Sequence, residues 1–406
     1  MSKIFKIAFL GVAISVMVFY STVFAQEVNS VVDANNQFAF ELYAKYKLKD
    51  GNVFFSPYSI SSAVAMAYEG ARGETAEQIQ SVFHFPKDDS LRREAFVKVN
   101  NFINKKDKKY QLCLANALWA QKDYVFTPDY FSLIKNYYDG NATNLDFKAD
   151  PGNSCLIINE WIEERTNGKI KDLIPGLDRL TRLVLTNAIY FKGFWLKQFK
   201  KSYTQEEEFS VSADNRIKVP MMHLSGEEAN FNYLETPDFQ ILELPYEGNE
   251  LAMLILLPKG DNLQVLEESL SLEKLSEWKR QLRNQEIDVY LPKFKFENKY
   301  FMRQDLKSLG VLAAFTPGID FEGEADFSGM TGKRDLHIDE IVHQAFIEVN
   351  EEGTEAAAAT AVMMLAGKGM SMPPKIFKAD HAFIFIIQDK EMGNILFMGR
   401  VSDPAK

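Results

Sequence analysis

Residues 183–195 read LVLTNAIYFKGFW, and this stretch decides the class of fold. From Leu183 to Phe191 it is almost continuously apolar, which predicts a strand buried on both faces of a sheet. Three further runs have the same character: Leu251–Leu257, Ala382–Ile387 and Ile395–Met398. Because a sheet that is buried on both faces has to be covered by other elements, helices are expected around it.

Helical patterns occur between and before these strands. Three helices are predicted from apolar spacing and cap residues, over 34–47, Ser59–Tyr68 and Ile157–Arg165. Ser56 and Pro57 place an N-cap and a first-turn proline before the second helix, and Asn167-Gly168 ends the third. In residues 293–297, phenylalanines alternate with charged residues, as in a strand with one solvent-exposed face. This irregular mixture of helices and strands predicts an α+β fold.

The N-terminus has the layout of a secretory signal peptide. Lys3 and Lys6 form a basic start, a mostly apolar run covers Ile7–Phe19, and small or polar residues lead to Ala25. A membrane anchor is the alternative, but the run is shorter than the roughly 20 apolar residues of a spanning helix. We therefore expect residues 1–25 to be removed, the protein to be secreted or periplasmic, and no segment to span a membrane.

The remaining residues, 26–406, are expected to form one domain. The sequence between Gln26 and Ala366 has no linker rich in Pro, Ser or Gly and no internal repeat. The formal net charge is −10, and it becomes −12 without the two signal lysines, since that segment carries no acidic residue. Such a surface repels phosphate backbones, so nucleic acid is not an expected partner.

Two local features have more than one interpretation. The basic run Lys105–Lys109 is interpreted as a solvated turn, with polyanion binding as the alternative. Cys113 and Cys155 are too few for a disulfide scaffold, and the sequence leaves open whether they pair with each other.

Motifs of catalytic sites are missing from the sequence. It has no GxSxG elbow, no HExxH pair, no Walker loop and no CxxC. His337 and His343 flank two acidic residues, but a separation of six does not put both on one helical face, as a spacing of four would. Hydrogen-bonded histidines in a strand region are the preferred interpretation. No enzyme, metal or cofactor is therefore predicted.

Seven sequence blocks occur in the order in which the serpin family has them, and the chain resembles serpins from about residue 30 to its C-terminus. The blocks are NVFFSPYSI (52–60), EGARGETA (69–76), LTNAIYFKGFW (185–195), DFSGM (326–330), VHQA (342–345), EEGTEAAAAT (351–360) and GNILFMGRV (393–401). One motif departs from the family, because Ala382 follows His381 where serpins have proline.

The resemblance implies both a fold and a function. The fold is a single large α+β domain with three β-sheets, about eight or nine helices and an exposed reactive-centre loop at about 351–376. The function is stoichiometric suicide inhibition of serine proteases, with cysteine proteases as a second target class, by a monomer that catalyses nothing. A target protease cuts the loop and forms an acyl-enzyme, and the freed segment then inserts into the central sheet. A non-inhibitory serpin that acts as a binding or chaperone module is the alternative.

The hinge segment, residues 351–360, has two opposed interpretations. Read locally, Thr354 is an N-cap before an alanine-rich helix that ends at Gly367 and Lys368. The resemblance implies instead a strand that inserts into the sheet, with these hinge residues: Glu351, Gly353, Thr354, Ala356, Ala357, Ala358, Ala359 and Thr360. With a period of two, alternate residues from Thr354 to Thr360 share one face. Their small, uncharged side chains suit a sheet that is covered on both sides, because a charge there would be buried without a partner.

Several neighbouring peptide bonds are candidates for the one that the protease attacks. Counting from the hinge gives Gly367-Lys368, and a slip of one residue gives Lys368-Gly369, which suits a trypsin-like enzyme. Counting from the C-terminal side gives Met370-Ser371, which suits elastase- or subtilisin-like enzymes. Met364 and Leu365 are further apolar options.

The resemblance also assigns control positions in the body of the protein. Ser56, Asn187 and His343 are expected to form a polar cluster beneath the strands that open. Trp195 is expected near the point of insertion. These four residues have a structural role in the prediction and no catalytic one.

Overall fold

A computed structural model of the chain describes residues 30–105, 109–226, 229–260, 262–318, 324–354 and 374–406. The predicted signal peptide lies outside these residues. The hinge residues after Thr354 and every candidate bond of the reactive-centre loop do so as well.

Ten α-helices are formed by the described residues. They are α1 (30–46), α2 (Pro57–Gly70), α3 (Gly73–Phe83), α4 (Asp89–Ile103), α5 (Pro128–Tyr138), α6 (Pro151–Arg165), α7 (Leu263–Ser269), α8 (Leu272–Gln281), α9 (Arg303–Leu309) and α10 (Ser328–Thr331). Two short 3₁₀ turns lie at Lys201–Tyr203 and Ala313–Phe315. The last α-helix has only four residues, so the number of full helices is close to the eight or nine expected.

Sixteen β-strands are found in the same residues. They are β1 (Val53–Phe55), β2 (Tyr110–Gln121), β3 (Asn141–Leu145), β4 (Leu183–Phe194), β5 (Gln205–Ser212), β6 (Asn215–Leu224), β7 (Asn230–Glu235), β8 (Phe239–Pro245), β9 (Leu251–Pro258), β10 (Arg283–Pro292), β11 (Phe294–Phe301), β12 (Glu340–Val349), β13 (Gly353–Thr354), β14 (Lys375–Lys378), β15 (Phe383–Asp389) and β16 (Ile395–Val401).

The strands pair into a six-stranded and a ten-stranded sheet. The six-stranded sheet has the order β11-β12-β13-β4-β2-β3. The ten-stranded sheet runs β1-β16-β15-β9-β8-β7-β10-β6-β5, with β14 against β10. Its long strand β10 pairs with β7 at one end and with β6 at the other, so this sheet consists of two parts that meet in one strand. The α+β class and the division into three sheet regions are confirmed.

Strand β4 is the centre of the six-stranded sheet, and it is buried on both faces as its sequence predicts. Leu185 and Ile189 face the large core, whereas Val184 and Ala188 face a second apolar cluster that lies under α6. The strand extends three residues beyond the predicted end, to Phe194. Burial on both faces explains why its sequence lacks the alternation of a half-exposed strand.

The predicted N-cap of α2 is confirmed, whereas α6 begins earlier than predicted. The Ser56 hydroxyl accepts a hydrogen bond from the Ser59 N–H at 3.1 Å, as an N-cap does. Helix α6 begins at Pro151, six residues before the predicted start, because Asp150 caps it through the Asn153 N–H. The first turns of α6 carry little apolar periodicity, so the pattern did not reveal them. The predicted end is correct, since Asn167 and Gly168 both adopt positive φ.

The two cysteines lie near opposite ends of α6 and are not joined by a disulfide. The Cys155 thiol contacts the Ile174 carbonyl oxygen at 3.1 Å, near the start of the helix. Cys113 on β2 accepts a hydrogen bond from Asn167, just past the helix end. At a rise of about 1.5 Å per residue, the helix separates these ends by roughly 15 Å. That distance is far beyond the reach of a disulfide.

Both described ends of the basic run pair with carboxylates. Lys105 lies 3.5 Å from Glu250, and Lys109 lies 4.0 Å from Glu247. Both lysine side chains remain largely in solvent. These contacts agree with the interpretation of the run as a solvated turn.

Candidate functional site at the entry to the six-stranded sheet

The hinge segment enters the six-stranded sheet at one end. Gly353 and Thr354 form the two-residue strand β13, which pairs antiparallel with both of its neighbours. Thr354 lies opposite Gly193 of β4 on one side and Val349 of β12 on the other. Further along, β12 and β4 pair directly and in parallel, from Glu340 opposite Val184 to Phe346 opposite Tyr190. A new strand has therefore begun between β4 and β12, and the rest of that interface is closed. The helix predicted locally from Thr354 is wrong for Thr354 itself, because tertiary pairing overrides the cap signal.

Thr354 is fully buried and is held through its side chain. Its hydroxyl lies 2.8 Å from the hydroxyl of Tyr246. The Tyr246 ring stacks on the Trp195 indole, with ring centres 4.7 Å apart and planes 16° apart. The indole N–H of Trp195 donates to the Asn350 carbonyl oxygen at 3.0 Å. Trp195, Tyr246 and Thr354 are called the entry cluster below.

Gly353 is required by the close approach of two backbones. A Cβ atom at this position would lie 2.0 Å from the Gly193 carbonyl oxygen and 2.6 Å from the Phe194 Cα. Both atoms belong to the main chain of β4 and have no room to shift. A side chain at position 353 would therefore push the hinge segment out of the sheet.

Two buried carboxylates fix the chain just before the entry. Glu351 is only 4% exposed, and it lies 3.0 Å from the Lys293 ammonium and 2.8 Å from the Thr204 hydroxyl. Burial acts to raise the pKa of Glu351, but hydrogen bonds from its own N–H, Lys293 and Thr204, with the charge of Lys293, hold it below its ordinary value. Glu352 lies 2.6 Å from the Lys201 ammonium. That contact raises the pKa of Lys201.

The main chain of the same residues is also held. The carbonyl oxygens of Glu351 and Glu352 accept hydrogen bonds from the N–H groups of Phe199 and Trp195, at 2.9 and 2.8 Å. The base of the hinge segment is thus fixed by both its backbone and its carboxylates, immediately before the two residues that enter the sheet.

Ser56, Asn187 and His343 meet beneath the closed part of the β4–β12 interface. Asn187 and His343 lie directly opposite each other in the register of the two strands. The Nδ1 atom of His343 is hydrogen-bonded to the Asn187 side-chain oxygen, and its Nε2 atom accepts a hydrogen bond from the Ser56 N–H at 3.1 Å. Because Nε2 accepts, the proton of the neutral ring lies on Nδ1. Complete burial lowers the pKa of His343 to about 3, so the ring is neutral at ordinary pH.

Two further polar residues complete this polar cluster. The Asn187 amide donates to the Ser59 carbonyl oxygen at 2.8 Å and to the Ser59 hydroxyl at 2.5 Å, and it is also bonded to Asn116. The cluster therefore links β2, β4 and β12 to the first turn of α2. It lies six residues along β4 from the Gly193 position, a distance of about 20 Å at the rise of a strand.

The positions of the predicted residues divide into three groups. Ser56, Asn187 and His343 come together, and Trp195 joins Gly353 and Thr354 at the entry. Glu351 lies just before the entry, whereas the hinge residues after Thr354 and the candidate bonds fall outside the described residues. The sequence did not reveal six residues whose side chains complete these sites: Ser59, Asn116, Lys201, Thr204, Tyr246 and Lys293. No local pattern marks these side chains, because each contacts a partner that is remote in the sequence.

The two histidines considered for a metal site point to different partners. His337 lies 3.4 Å from Asp339, whereas His343 belongs to the polar cluster. Across the described ranges, no group of three or more His, Cys, Asp or Glu side chains is placed to hold a metal ion.

The chain matches the family described as Serpin (serine protease inhibitor) over residues 33–404. The chain is therefore a serpin. It is 45% identical to an uncharacterised serpin-like protein of Thermococcus kodakarensis over 376 residues, which cover 92% of this chain and 86% of that protein. It is 42% identical to the leukocyte elastase inhibitor of Homo sapiens, over 91% of this chain and 98% of that protein.

Solved structures place the serpin fold beyond doubt. Human thyroxine-binding globulin superposes with a TM-score of 0.85 at 28% identity, over 94% of this serpin and all of that chain. The family description and the relative named for elastase inhibition support protease inhibition as the general activity of this protein. Serpins of that kind bind proteases as inhibitors and are not catalysts. Among the described residues, no helix is long and apolar enough to cross a membrane.

Proposed function

We propose that this serpin is an exported, stoichiometric inhibitor that traps serine proteases, trypsin-like ones first, as acyl-enzymes. The observation that carries the proposal is the position of Thr354, which is already paired on both sides in a strand that begins between β4 and β12. Elastase- and subtilisin-like enzymes, and cysteine proteases, are further target classes. The non-inhibitory alternative requires a hinge that does not insert, and no bulky or proline residue stands in Ala356–Ala359.

The register at the entry determines where an inserted strand would lie. Continuing the pairing of Thr354 with Gly193 and Val349, one residue at a time, brings Thr360 opposite both Asn187 and His343. In such a continued strand, Thr360 would share the face of Thr354 and would point to the large core and to the polar cluster. Insertion would thus separate Asn187 from His343 and place a threonine hydroxyl between them. Neither polar side chain would lose all of its partners.

The exchange of strand pairings supplies a driving force. The present β4–β12 pairing is parallel, and a strand inserted in the direction of β13 is antiparallel to both neighbours. One parallel interface would become two antiparallel ones, which pair slightly better per residue. Each added ladder hydrogen bond contributes about 1 kcal/mol net. The native state is therefore expected to be less stable than the inserted one.

The length of the inserted strand is compatible with cleavage after Lys368. The same register reaches the first residues of β12 and β4, Glu340 and Leu183, at residues 363 and 364. A cut after Lys368 leaves four residues beyond the end of the strand. An acyl-enzyme on Lys368 would then contact the far end of the sheet, because only a short segment separates it from the inserted strand. A cut after Met370 adds two residues and loosens that contact.

The chemistry of the trap belongs to the protease. Its serine hydroxyl attacks the Lys368 carbonyl carbon, the Lys368-Gly369 bond breaks, and the new amine on Gly369 leaves with a proton. Insertion then moves the acyl-enzyme before water hydrolyses the ester. Displacement of one oxyanion-hole donor slows that hydrolysis by about 100-fold or more, which is enough to make the complex long-lived.

Export and domain limits are part of the proposal. Residues 1–25 act as a cleavable signal peptide, and residues 26–406 form the serpin domain with its reactive-centre loop at about 351–376. The family match over 33–404 lies within these limits and supports them. The mature protein is proposed to act as a monomer in the periplasm or the medium.

Incubation with trypsin, elastase and subtilisin tests the proposal on a denaturing gel. A trypsin adduct that resists SDS and contains serpin and protease in a one-to-one ratio is the expected result. The mass of the released C-terminal fragment identifies the bond, and fragments beginning at Gly369 are expected. Clean cleavage without an adduct by every protease would favour the non-inhibitory alternative.

A hinge variant separates insertion from simple binding. Thr354→Arg places an unpartnered charge in a fully buried position, so cleavage should continue while the adduct is lost. Ser212→Arg, at the exposed last residue of β5, is the matched control and should form the adduct normally. The nicked wild type should melt at a much higher temperature than the intact protein, whereas nicked Thr354→Arg should not.

A further inference from the structure

The sequence contains one acceptor tripeptide for N-linked glycosylation, Asn141-Ala142-Thr143. It forms the first three residues of β3, directly after the turn that follows α5. Within the described part of the chain, strand β3 is an outermost strand of the six-stranded sheet and pairs with β2 alone. The tripeptide therefore lies along an edge of the sheet, where a bulky group disturbs no strand pairing.

The side chains of the tripeptide are arranged as an acceptor requires. The Asn141 amide nitrogen donates to the Thr143 hydroxyl oxygen at 3.0 Å. Ala142 between them is 5% exposed and packs into the large core. Asn141 and Thr143 consequently share the opposite face of β3 and are both half-buried. The hydroxyl that acceptor sequences require is thus in direct contact with the nitrogen that would carry the sugar.

An open cavity begins at the same asparagine. It has a volume of about 270 Å³ and lies among α5, β3 and α6. Two aromatic rings line it, Phe131 and Trp161, together with the cationic side chains of Lys135 and Arg165. Phe131 is 45% exposed, so part of its ring is open to the cavity. Arg165 lies over the Trp161 ring at 5.3 Å, so Phe131 supplies the open aromatic face of the cavity. Such a face beside hydrogen-bond donors suits the C–H face and the hydroxyl groups of a sugar ring.

We propose that Asn141 carries an N-linked glycan in the exported protein and that its first sugar lies in this cavity against Phe131. The proposal depends on export, but not on protease inhibition. A lipid-linked oligosaccharide on the exporting side is the donor. The Asn141 Nδ2 atom forms a bond to C1 of the first sugar and loses one proton, while the bond from C1 to the lipid phosphate oxygen breaks and the phosphate leaves.

Peptide mapping of the exported serpin, purified from its native source, tests the site. The tryptic peptide of residues 136–148 contains three asparagines, Asn136, Asn141 and Asn144, so two of them are internal controls. A glycan mass on Asn141 alone is the expected result. Thr143→Val should abolish it, whereas Thr143→Ser, which keeps the hydroxyl, and Asn144→Gln should retain it.

Each failure of this experiment has a distinct meaning. An exported chain with an unmodified Asn141 would overturn the glycan and leave both export and inhibition in place. A chain found only inside the cell with residues 1–25 attached would overturn export and the glycan together. Formation of a protease adduct is measured on the same samples, so loss of inhibition is recognised separately.

The cavity is tested by the rate at which an amidase releases the glycan. The folded wild type should release it several-fold more slowly than the denatured protein, because the first sugar is shielded. Phe131→Ala should remove that protection without lowering occupancy of Asn141. Equal release rates from the folded wild type and Phe131→Ala would overturn the assignment of the cavity.

Discussion

The hydroxyl of Tyr246 lies 2.8 Å from the hydroxyl of Thr354, and both side chains are fully buried. This side-chain contact joins Thr354, the second residue of β13, to the body of the protein. Tyr246 is in turn fixed by its stacking on Trp195. The contact therefore holds the tip of the hinge at the point from which insertion would proceed.

Tyr246→Phe should weaken this anchor without changing the packing of the ring. The Thr354 hydroxyl would lose its partner in a buried site, and we expect the free energy of unfolding to fall by about 1–2 kcal/mol. Urea titration of the uncleaved protein measures it. Tyr203→Phe, at a residue that is 48% exposed, is the control and should leave the midpoint unchanged. An equal midpoint for both variants would show that the hydroxyl contact does not stabilise the entry.

The Glu351–Lys293 contact should couple more strongly than a surface ion pair. Glu351 is buried and also bonded to Thr204, so a double-mutant cycle with Glu351→Gln and Lys293→Met should give a coupling energy of about 1–3 kcal/mol. The exposed pair Lys274–Glu277, at 3.0 Å, is the reference and should give about 0.5 kcal/mol or less. Comparable coupling energies for the two pairs would contradict the role of Glu351 as an anchor of the hinge segment.

Acid should destabilise the native state through His343. Its pKa is about 3 in the folded protein because burial excludes the charged form, against about 6.5 in the unfolded chain. Between these values the unfolded state binds more protons, so stability present above about pH 6.5 is lost as the pH falls towards 3, by up to about 1.4 kcal/mol per pH unit. Denaturant unfolding from pH 7 to 4 measures this slope. His343→Gln cannot titrate and should show a shallower dependence, while parallel curves would contradict the assignment.

Lys368 should select trypsin-like targets. Lys368→Ala removes the side chain that fits an acidic specificity pocket, so the trypsin adduct should disappear on a denaturing gel. Complexes with elastase or subtilisin, if formed through Met370, should remain. Met370→Ala is the matched variant and should have the reverse effect. Loss of the trypsin adduct in Met370→Ala, with Lys368→Ala unaffected, would move the reactive bond to Met370-Ser371.

Much of the fold follows from local sequence. The apolar run of β4 and the caps at Ser56 and Asn167 depend on residues close in the chain, where periodicity and backbone preference act directly. The start of α6 was missed because its first turns lack an apolar stripe. The hinge segment shows the limit most clearly. Its residues have the local signature of a helix, yet Thr354 is a strand residue because the main chains of β4 and β12 offer it two partners.

The sequence by itself determined the class of fold, the family and the composition of a segment that is small and uncharged enough to enter a sheet. Only the tertiary structure decided which contacts hold that segment. Tyr246 and Thr354 are 108 residues apart, and Lys293 and Glu351 are 58 apart. The alignment of Thr354 with Gly193 and Val349 is likewise set by strand register. Such contacts depend on how distant elements pack, and no local preference encodes the register of one strand against another.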